Sequence, residues 1–243
     1  MIVLYVILGI IGVLFAVIIL HLLFLTVLVC TVKNVDYYKI NKFYYSVLKY
    51  HCRLIAFFSR VKIKVSGKEK VEKIDGKFLV VGNHRSNYDP ILTLLALNRN
   101  DLAFISKPEN FRIPFVKIIR RCCCTAIDRE NPRKAFKTIN HNAELIRNGA
   151  ACVGVYPEGT RSKSGKLLPF HDGVFKIAQK AGAPIVITAL RGTEKISKNA
   201  PFKRTTVYID VLEVIDAERV KELSSHDLGE FARDSIAKVT EGK

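Results

Sequence analysis

The sequence predicts an α/β protein in which a mixed, mostly parallel β-sheet is flanked by helices and preceded by a membrane-associated helical segment. From about residue 61 onward, short β-branched apolar runs alternate with stretches of helical periodicity, which is typical of a sheet with helices on its faces. Several of these runs end in polar or basic residues. Residues 1–32 contain no Asp, Glu, Lys or Arg. We therefore expect a membrane-associated part, residues 1–59, and an α/β domain, residues 60–243.

The uncharged N-terminal stretch is long enough to cross a bilayer with tilt. As one helix, residues 1–32 would extend about 48 Å, against a hydrocarbon core of about 30 Å. A segment that enters one leaflet and bends near Gly9 or Gly12 is the alternative. A cleaved signal peptide fits poorly, because the basic n-region and a small-residue cleavage site are both missing.

The next segment is strongly basic. Residues 33–64 contain eight Lys or Arg against one acid, Asp36, so the positive-inside rule predicts a cytoplasmic location for this side. Residues 38–58 have helical periodicity, with apolar side chains on one face and cations on another. Such a helix beside a membrane segment is typical of an interfacial helix on anionic lipid. The alternative is a helix packed on the α/β domain, and both can hold on different faces.

Charge and cysteine content limit the classes of partner. The net charge of +17 favours nucleic acid, an acidic lipid surface or a phosphorylated substrate. No nucleic-acid motif is present and the cations are not interleaved with stacking aromatics, so we expect no nucleic-acid partner. The six cysteines form no C-x-x-C pair and include three in a row, which predicts reduced, mostly buried thiols.

Seven strands and six helices are predicted after residue 60, and the first and last strands could run antiparallel to the others. The predicted strands are residues 61–65, 78–81, 102–106, 123–127, 151–156, 185–190 and 205–214. The predicted helices are residues 90–97, 114–121, 133–148, 173–181, 217–223 and 227–239.

The first candidate site follows the strand at 78–81. His84 comes directly after a Gly-Asn pair, and Asp89 stands directly before Pro90. Asp89 is expected to be the N-cap of the next helix. On a regular helix, residues five apart point about 140° away from each other, so His84 and Asp89 can meet only across a turn. The carboxylate would then fix the imidazole tautomer for general-base catalysis. A capped helix with an incidental histidine is the alternative.

Three further strand ends deliver polar side chains. Lys107 follows the third strand and Arg129 follows the fourth. The fifth strand ends in a loop at 157–166 that contains Glu158, two glycines and three cations; among these, Arg161 can bind a phosphate with two donors. A solvated basic turn is the alternative. Neither a G-x-S-x-G elbow nor an H-E-x-x-H motif is present, so hydrolase and metalloprotease templates have no support.

Four blocks, in order, resemble the glycerolipid acyltransferase family, specifically the 1-acylglycerol-3-phosphate (lysophosphatidate) acyltransferases. They are residues 83–90 with the H-x4-D pattern, residues 104–115 followed by 127–129, residues 156–162, and residues 183–186. The resemblance covers about residues 60–215. The chain departs from the family's pattern at Pro108, Lys117 and His171-Asp172, which bears on acceptor specificity.

The resemblance implies a glycerolipid acyltransferase-like fold and transfer of an acyl chain from acyl-CoA or acyl carrier protein to the sn-2 hydroxyl of 1-acylglycerol-3-phosphate, which gives phosphatidic acid. His84 would take the hydroxyl proton, oriented by Asp89. The substrate-binding residues would be Lys107, Arg129, Glu158, Gly159, Thr160 and Arg161. Of these, Lys107 and Arg161 would hold the phosphate, with Arg129 as a weaker candidate. Glu158 would position Arg161 or the glycerol, or would only bind loop amides, and Gly159 and its neighbours could face the oxyanion.

Beyond the acyl donor we expect no cofactor and no metal. The expected location is the cell membrane, with the catalytic domain on the cytoplasmic face and the bilayer as a partner. Two alternatives remain: an acyltransferase for another lysolipid or for glycerol-3-phosphate, and a non-enzymatic membrane-tethered protein that binds anionic lipid. The choice between CoA and carrier protein stays open, as does the choice between a spanning and a monotopic N-terminus.

Overall fold

The computed structural model describes residues 1–162 and 165–242. Lys163 and Ser164, two residues of the predicted basic loop, lie outside this described part. Within it, seven strands form one sheet in the order β1-β7-β6-β2-β5-β3-β4. The strands are β1 (Val61–Ser66), β2 (Leu79–Gly82), β3 (Leu102–Ser106), β4 (Thr125–Ala126), β5 (Cys152–Val155), β6 (Ile185–Arg191) and β7 (Thr205–Ile215).

The sheet is mixed and mostly parallel, as predicted. Strands β6, β2, β5, β3 and β4 all run in one direction. Strand β7 is antiparallel to β6, and β1 pairs in parallel with β7, so the first and last strands oppose the other five. The central strands β2 and β5 are buried at every position, which explains why their sequences are continuous apolar runs. The carboxyl ends of these five parallel strands therefore meet at one edge.

Helices cover this sheet and account for most of the predicted helical segments. They are α1 (Ile2–Cys30), α2 (Lys42–Phe58), α3 (Lys68–Glu72), α4 (Asp89–Leu97), α5 (Pro132–Arg147), α6 (Lys176–Ala181), α7 (Ile196–Asn199), α8 (Ala217–Glu222) and α9 (Ser225–Thr240). Short 3₁₀ segments span Pro108–Arg112, Pro114–Cys122, Asp172–Val174 and Thr193–Lys195. The short elements α3 and α7 and the first and last 3₁₀ segments were not predicted.

Helix α1 continues through Gly9 and Gly12 without interruption. In the described part of the chain it is the one helix long and apolar enough to cross a membrane, by length and composition. Residues 2–20 of this helix are exposed, whereas Leu25 and Leu28 near its end are buried in the core of the domain. A candidate membrane helix is therefore joined directly to the α/β fold.

Helix α2 begins at Lys42, later than the expected residue 38, because the Asn41 side chain accepts hydrogen bonds from the first helical amides. One face packs on the domain, where the buried Tyr45 hydroxyl bonds both backbone groups of Leu102 at 3.0 Å. The other face leaves Phe57 74% exposed and Phe58 66% exposed. Packing on the domain and an apolar outer face thus coexist. The boundary between residues 59 and 60 stays a prediction.

The segment around the three consecutive cysteines differs from its prediction. The expected helix 114–121 is a 3₁₀ segment, and the strand expected at 123–127 is reduced to the two residues of β4. Cys123 has a left-handed backbone, with φ of 61°, and its N–H donates to the carbonyl of Arg120, so it closes the 3₁₀ segment. The thiols are free and five are buried, as expected. Burial raises the pKa of Cys52 and of Cys123 to about 12, so both thiols stay protonated.

Candidate active site

A cavity of about 860 Å³ lies at the sheet edge where the parallel strands end. His84, from the segment after β2, lines it together with Lys107, which follows β3. Arg129 follows β4, and the loop after β5 contributes Gly159, Thr160 and Arg161. The four strand ends singled out in the sequence therefore converge on one space. Asp89 and Glu158, the other two predicted site residues, lie behind this wall and are buried.

His84 and Asp89 are in contact, as the turn between them requires. Asp89 Oδ2 accepts hydrogen bonds of 2.7 Å from His84 Nδ1, from the Arg85 amide and from the Ser86 amide. Because a carboxylate only accepts, Nδ1 carries the proton and Nε2 is left as the basic nitrogen, a tautomer assigned from this contact. Asp89 is fully buried, which makes its hold on the ring strong.

The expected N-cap role of Asp89 is wrong. Helix α4 has Tyr88 as its N-cap, and Asp89 is its first residue. Its carboxylate points back to the turn at residues 84–86 and accepts hydrogen bonds from three donors there, in place of the amides of the helix. The helix thus holds the carboxylate firmly beneath the histidine.

Tyr156, which was not predicted to belong to the site, stacks on the histidine. The two ring centroids are 4.7 Å apart and the ring planes differ by 12°. The Tyr156 hydroxyl is 3.1 Å from Thr93 Oγ1 of α4. Burial raises the pKa of Tyr156 well above its ordinary value, so this hydroxyl is neutral.

Glu158 binds backbone amides. Its Oε1 accepts from the His84 N–H at 2.6 Å, and its Oε2 accepts from the Leu168 N–H at 2.9 Å. No ion pair joins it to Arg161 within the described residues. Its position therefore matches the alternative role, in which it satisfies loop amides and ties the loop after β5 to the histidine. Burial raises the pKa of Glu158, and the two amide donors partly oppose that shift.

Position 159 requires glycine, both for its backbone conformation and because neighbouring side chains lie close to it. Its φ is +72°, and a Cβ there would lie 2.4 Å from Arg129 Nη1 and 3.0 Å from His171 Cδ2. The Arg129 guanidinium donates to the Gly159 carbonyl, and burial lowers the pKa of Arg129. The Gly159 N–H donates to the Tyr156 carbonyl at 3.0 Å. That amide is therefore occupied, and the expectation that it faces the oxyanion is wrong.

Two other residues that the sequence did not select also line the cavity, Asn87 and His171. Asn87 and Tyr156 both lie inside the family blocks, so their neighbourhood was visible in the sequence, but their side-chain contacts were not. His171 had been noted only as a departure from the family's pattern. Among the described residues, no group of three or more His, Cys, Asp or Glu is arranged to hold a metal ion.

Much of the remaining lining of the cavity is apolar. It includes Leu25 of α1, Leu48 and Ile55 of α2, and Ile118 and Ile119 of the second 3₁₀ segment. One space is therefore lined both by cationic and imidazole side chains and by aliphatic side chains. That combination suits an amphiphile with an anionic head.

A family model described as Acyltransferase matches residues 62–191, which is more than half of the chain. The chain belongs to the acyltransferase family. All eight predicted site residues fall inside the matched range, whereas α1 and α2 precede it.

Individual relatives of this acyltransferase-family chain carry more specific names. It is 36% identical over 157 residues to the chloroplastic 1-acyl-sn-glycerol-3-phosphate acyltransferase BAT2 of Brassica napus, covering 64% of this chain and 44% of that protein. The protein named 1-acyl-sn-glycerol-3-phosphate acyltransferase in Borreliella burgdorferi is 29% identical, covering 78% of this chain and 76% of that one. The chain thus spans less than half the length of the plant relative.

A solved structure has the same fold. It is the 1-acyl-sn-glycerophosphate (LPA) acyltransferase PlsC from Thermotoga maritima, with a TM-score of 0.60 and 26% identity. The match covers 81% of this chain and 82% of that one. The predicted fold class is therefore confirmed, including an apolar N-terminal helix as a candidate membrane segment.

Proposed function

We propose that this chain transfers an acyl group from acyl-CoA or acyl carrier protein to the sn-2 hydroxyl of 1-acylglycerol-3-phosphate, which yields phosphatidic acid. The single observation that carries the proposal is the 2.7 Å contact between His84 and Asp89 at the wall of a cavity lined by both cationic and apolar side chains. The names of the relatives support the choice of acceptor.

In the proposed reaction, His84 Nε2 takes the proton of the acceptor hydroxyl while Asp89 holds the ring and stabilises the imidazolium. The acceptor oxygen attacks the thioester carbonyl, and the tetrahedral intermediate then expels the thiolate, which takes from His84 the proton that came from the acceptor hydroxyl. General-base assistance of this kind contributes about 10²- to 10⁴-fold. The step needs no cofactor and no metal. The Thr160 amide is the proposed donor to the oxyanion, since the Gly159 amide is occupied.

The acceptor phosphate is proposed to bind Arg161 and Lys107, which are both exposed at the cavity wall. Arg129 is a third, weaker ligand, because one of its donors is already used by the Gly159 carbonyl. A guanidinium has five N–H donors, so the remaining ones can still bind a phosphate oxygen. Fixing the phosphate places the hydroxyl near His84 and supplies proximity.

Membrane attachment gives the proposed enzyme access to its lipid acceptor. Helix α1 would insert into the bilayer, and the exposed basic and aromatic side chains of α2 would lie on anionic lipid at the cytoplasmic face. The thioester donor would arrive from the cytosol. The apolar part of the cavity lining, which includes Leu25 of that helix, would then receive an acyl chain.

The test uses the full chain in phospholipid vesicles with radiolabelled acyl-CoA and a panel of acceptors: 1-acylglycerol-3-phosphate, glycerol-3-phosphate and lysolipids with and without a free phosphate. We expect turnover with 1-acylglycerol-3-phosphate. His84→Ala should abolish this turnover, while its unfolding temperature stays close to that of the wild type. Near-normal turnover by His84→Ala would contradict the proposed role of His84 as the general base. Lipid binding without turnover of any acceptor would favour a non-enzymatic protein.

The same panel tests the phosphate site. Arg161→Ala should mainly raise KM for the phosphate-bearing acceptor, because the guanidinium is proposed to bind the phosphate, which takes no part in the bonds made and broken. Arg204→Ala is the matched control, since Arg204 is exposed and is not among the cavity-lining residues. An equal loss with an acceptor that lacks the phosphate would contradict the assigned role.

A further inference from the structure

The contact with Asp89 leaves the plane of the His84 ring only partly fixed. One hydrogen bond, at Nδ1, joins the imidazole to the carboxylate. A single hydrogen bond tolerates a broad range of angles, so the ring can still tilt about that contact. The nitrogen that does the chemistry is on the far side of the ring, where a small tilt produces the largest displacement. A second contact, on the face of the ring, is needed to fix it.

Tyr156 makes that second contact. Its ring lies 4.7 Å from the imidazole and nearly parallel to it, at 12°. Tyr156 is itself held at its far end, where its hydroxyl is 3.1 Å from Thr93 Oγ1. Thr93 lies four residues after Asp89 on α4, one helical turn away. The same helix therefore fixes both the edge contact and the face contact of the histidine.

Phe104 extends the stack. Its ring is 6.1 Å from that of Tyr156 and inclined by 9°. Space for this ring comes from Gly154 of β5, where a Cβ would lie only 2.4 Å from Phe104 Cε1. Three side chains, one from the middle of β3 and two from the segments that follow β2 and β5, therefore lie nearly parallel. Such an arrangement depends on a glycine opposite an aromatic residue, so it is built into the sheet.

We propose that Tyr156 is a positioning residue whose ring holds the plane of His84 so that Nε2 faces the acceptor hydroxyl. The proposal rests on the proposed acyl transfer at this site. An aromatic face also attracts the imidazolium that forms during the reaction, so the contact strengthens as the proton arrives. A displacement of about 1 Å in a reacting group can cost about 10²-fold in rate. A residue that only lined the cavity would instead change substrate binding.

The test compares Tyr156→Leu and Tyr156→Phe in the full chain in vesicles. Leucine keeps an apolar side chain but loses the stacking face, and we expect kcat to fall about 10- to 100-fold with KM for both substrates within about twofold. Phenylalanine keeps the face, and we expect kcat within about threefold of wild type. Thr93→Val, which removes the hydroxyl partner of Tyr156, should have an effect no larger than that of Tyr156→Phe.

Three outcomes would overturn the proposal. They are an unchanged kcat in Tyr156→Leu, a loss that falls on KM alone, and an equal loss in Tyr156→Phe, which would assign the effect to the hydroxyl. If Tyr156→Leu does not fold, Phe104→Leu is tested in its place. We expect kcat of that variant to fall by about three- to tenfold, and an unchanged kcat would overturn the proposal. Wild-type turnover is measured first. If the wild-type protein acylates a different acceptor of the panel, the variants are compared with that acceptor. Absence of turnover with every acceptor would refute both the proposed function and this proposal.

Discussion

Substitution of Gly159 by alanine separates backbone strain from a steric effect on Arg129. At φ of +72°, an L-residue costs about 1–2 kcal/mol relative to glycine. For a chain of this length, each kcal/mol lowers the unfolding temperature by about 2–4 °C, so we expect a fall of about 2–8 °C. In addition, the new Cβ would lie 2.4 Å from Arg129 Nη1, so the guanidinium must leave the Gly159 carbonyl.

Gly149 provides the matched control. It has φ of +68°, and a Cβ there meets nothing within 4 Å. Gly149→Ala should therefore lower the unfolding temperature by a similar amount and leave acyl transfer unchanged. Gly159→Ala should in addition raise KM for the phosphate-bearing acceptor, because Arg129 is displaced. The measurements are thermal unfolding and initial rates over a range of acceptor concentrations.

A double variant tests whether Arg129 is positioned through Gly159. Arg129→Ala removes the group with which the new Cβ collides, so Gly159→Ala should do less harm in that background. We expect a coupling free energy of about 0.5–3 kcal/mol between the two substitutions. Strict additivity, or identical kinetics for Gly159→Ala and Gly149→Ala, would refute the claim that Arg129 is positioned through Gly159.

Two further predictions concern buried and exposed carboxylates. Glu158→Gln should cost about 1–3 kcal/mol in stability and lower kcat, because an amide offers one acceptor oxygen to the two backbone donors of His84 and Leu168; unchanged thermal unfolding would contradict this. The hydrogen bond to Asp172 raises the pKa of His226 above its ordinary value of 6.5. The folded state therefore favours protonation, and the stabilisation is present below that value and lost as pH rises through the raised pKa. The unfolding temperatures of wild type and His226→Ala should differ at about pH 5.5 and converge at about pH 8.5, and a difference that grows with pH would contradict the sign.

Much of the fold could be predicted from periodicity alone. The boundaries of β3 match the predicted residues 102–106, because a short, mostly apolar run between the charged residues Asp101 and Lys107 has few alternatives. At Cys123 the local pattern predicts the wrong structure. Its neighbours form a β-branched and thiol-rich run, but the preceding 3₁₀ segment closes there with a left-handed residue. Tertiary docking of that segment against α1 and α2 outweighed the local pattern.

The residues of the site were easier to predict than their contacts. Parallel strands end at one edge, so His84, Lys107 and Arg161 could be grouped from strand ends alone. Which atoms meet depends on loop conformations that no spacing rule encodes. Glu158 turned toward two backbone amides, and the ring of Tyr156 turned toward the histidine. The contacts of Glu158 and Tyr156 with His84 are set by packing between loops that are more than 60 residues apart in sequence.

The burial of Leu25 has a practical consequence. This residue belongs to the helix that is long enough to cross a membrane, and it also forms part of the wall of the space in front of His84. A chain that lacks residues 1–30 would retain the whole imidazole–carboxylate pair, yet one side of that compartment would be open to water. Solubilising the protein by deleting this candidate membrane helix would thus also alter the cavity of the proposed active site. A lipid environment that tilts the helix would change the shape of the same cavity through this leucine.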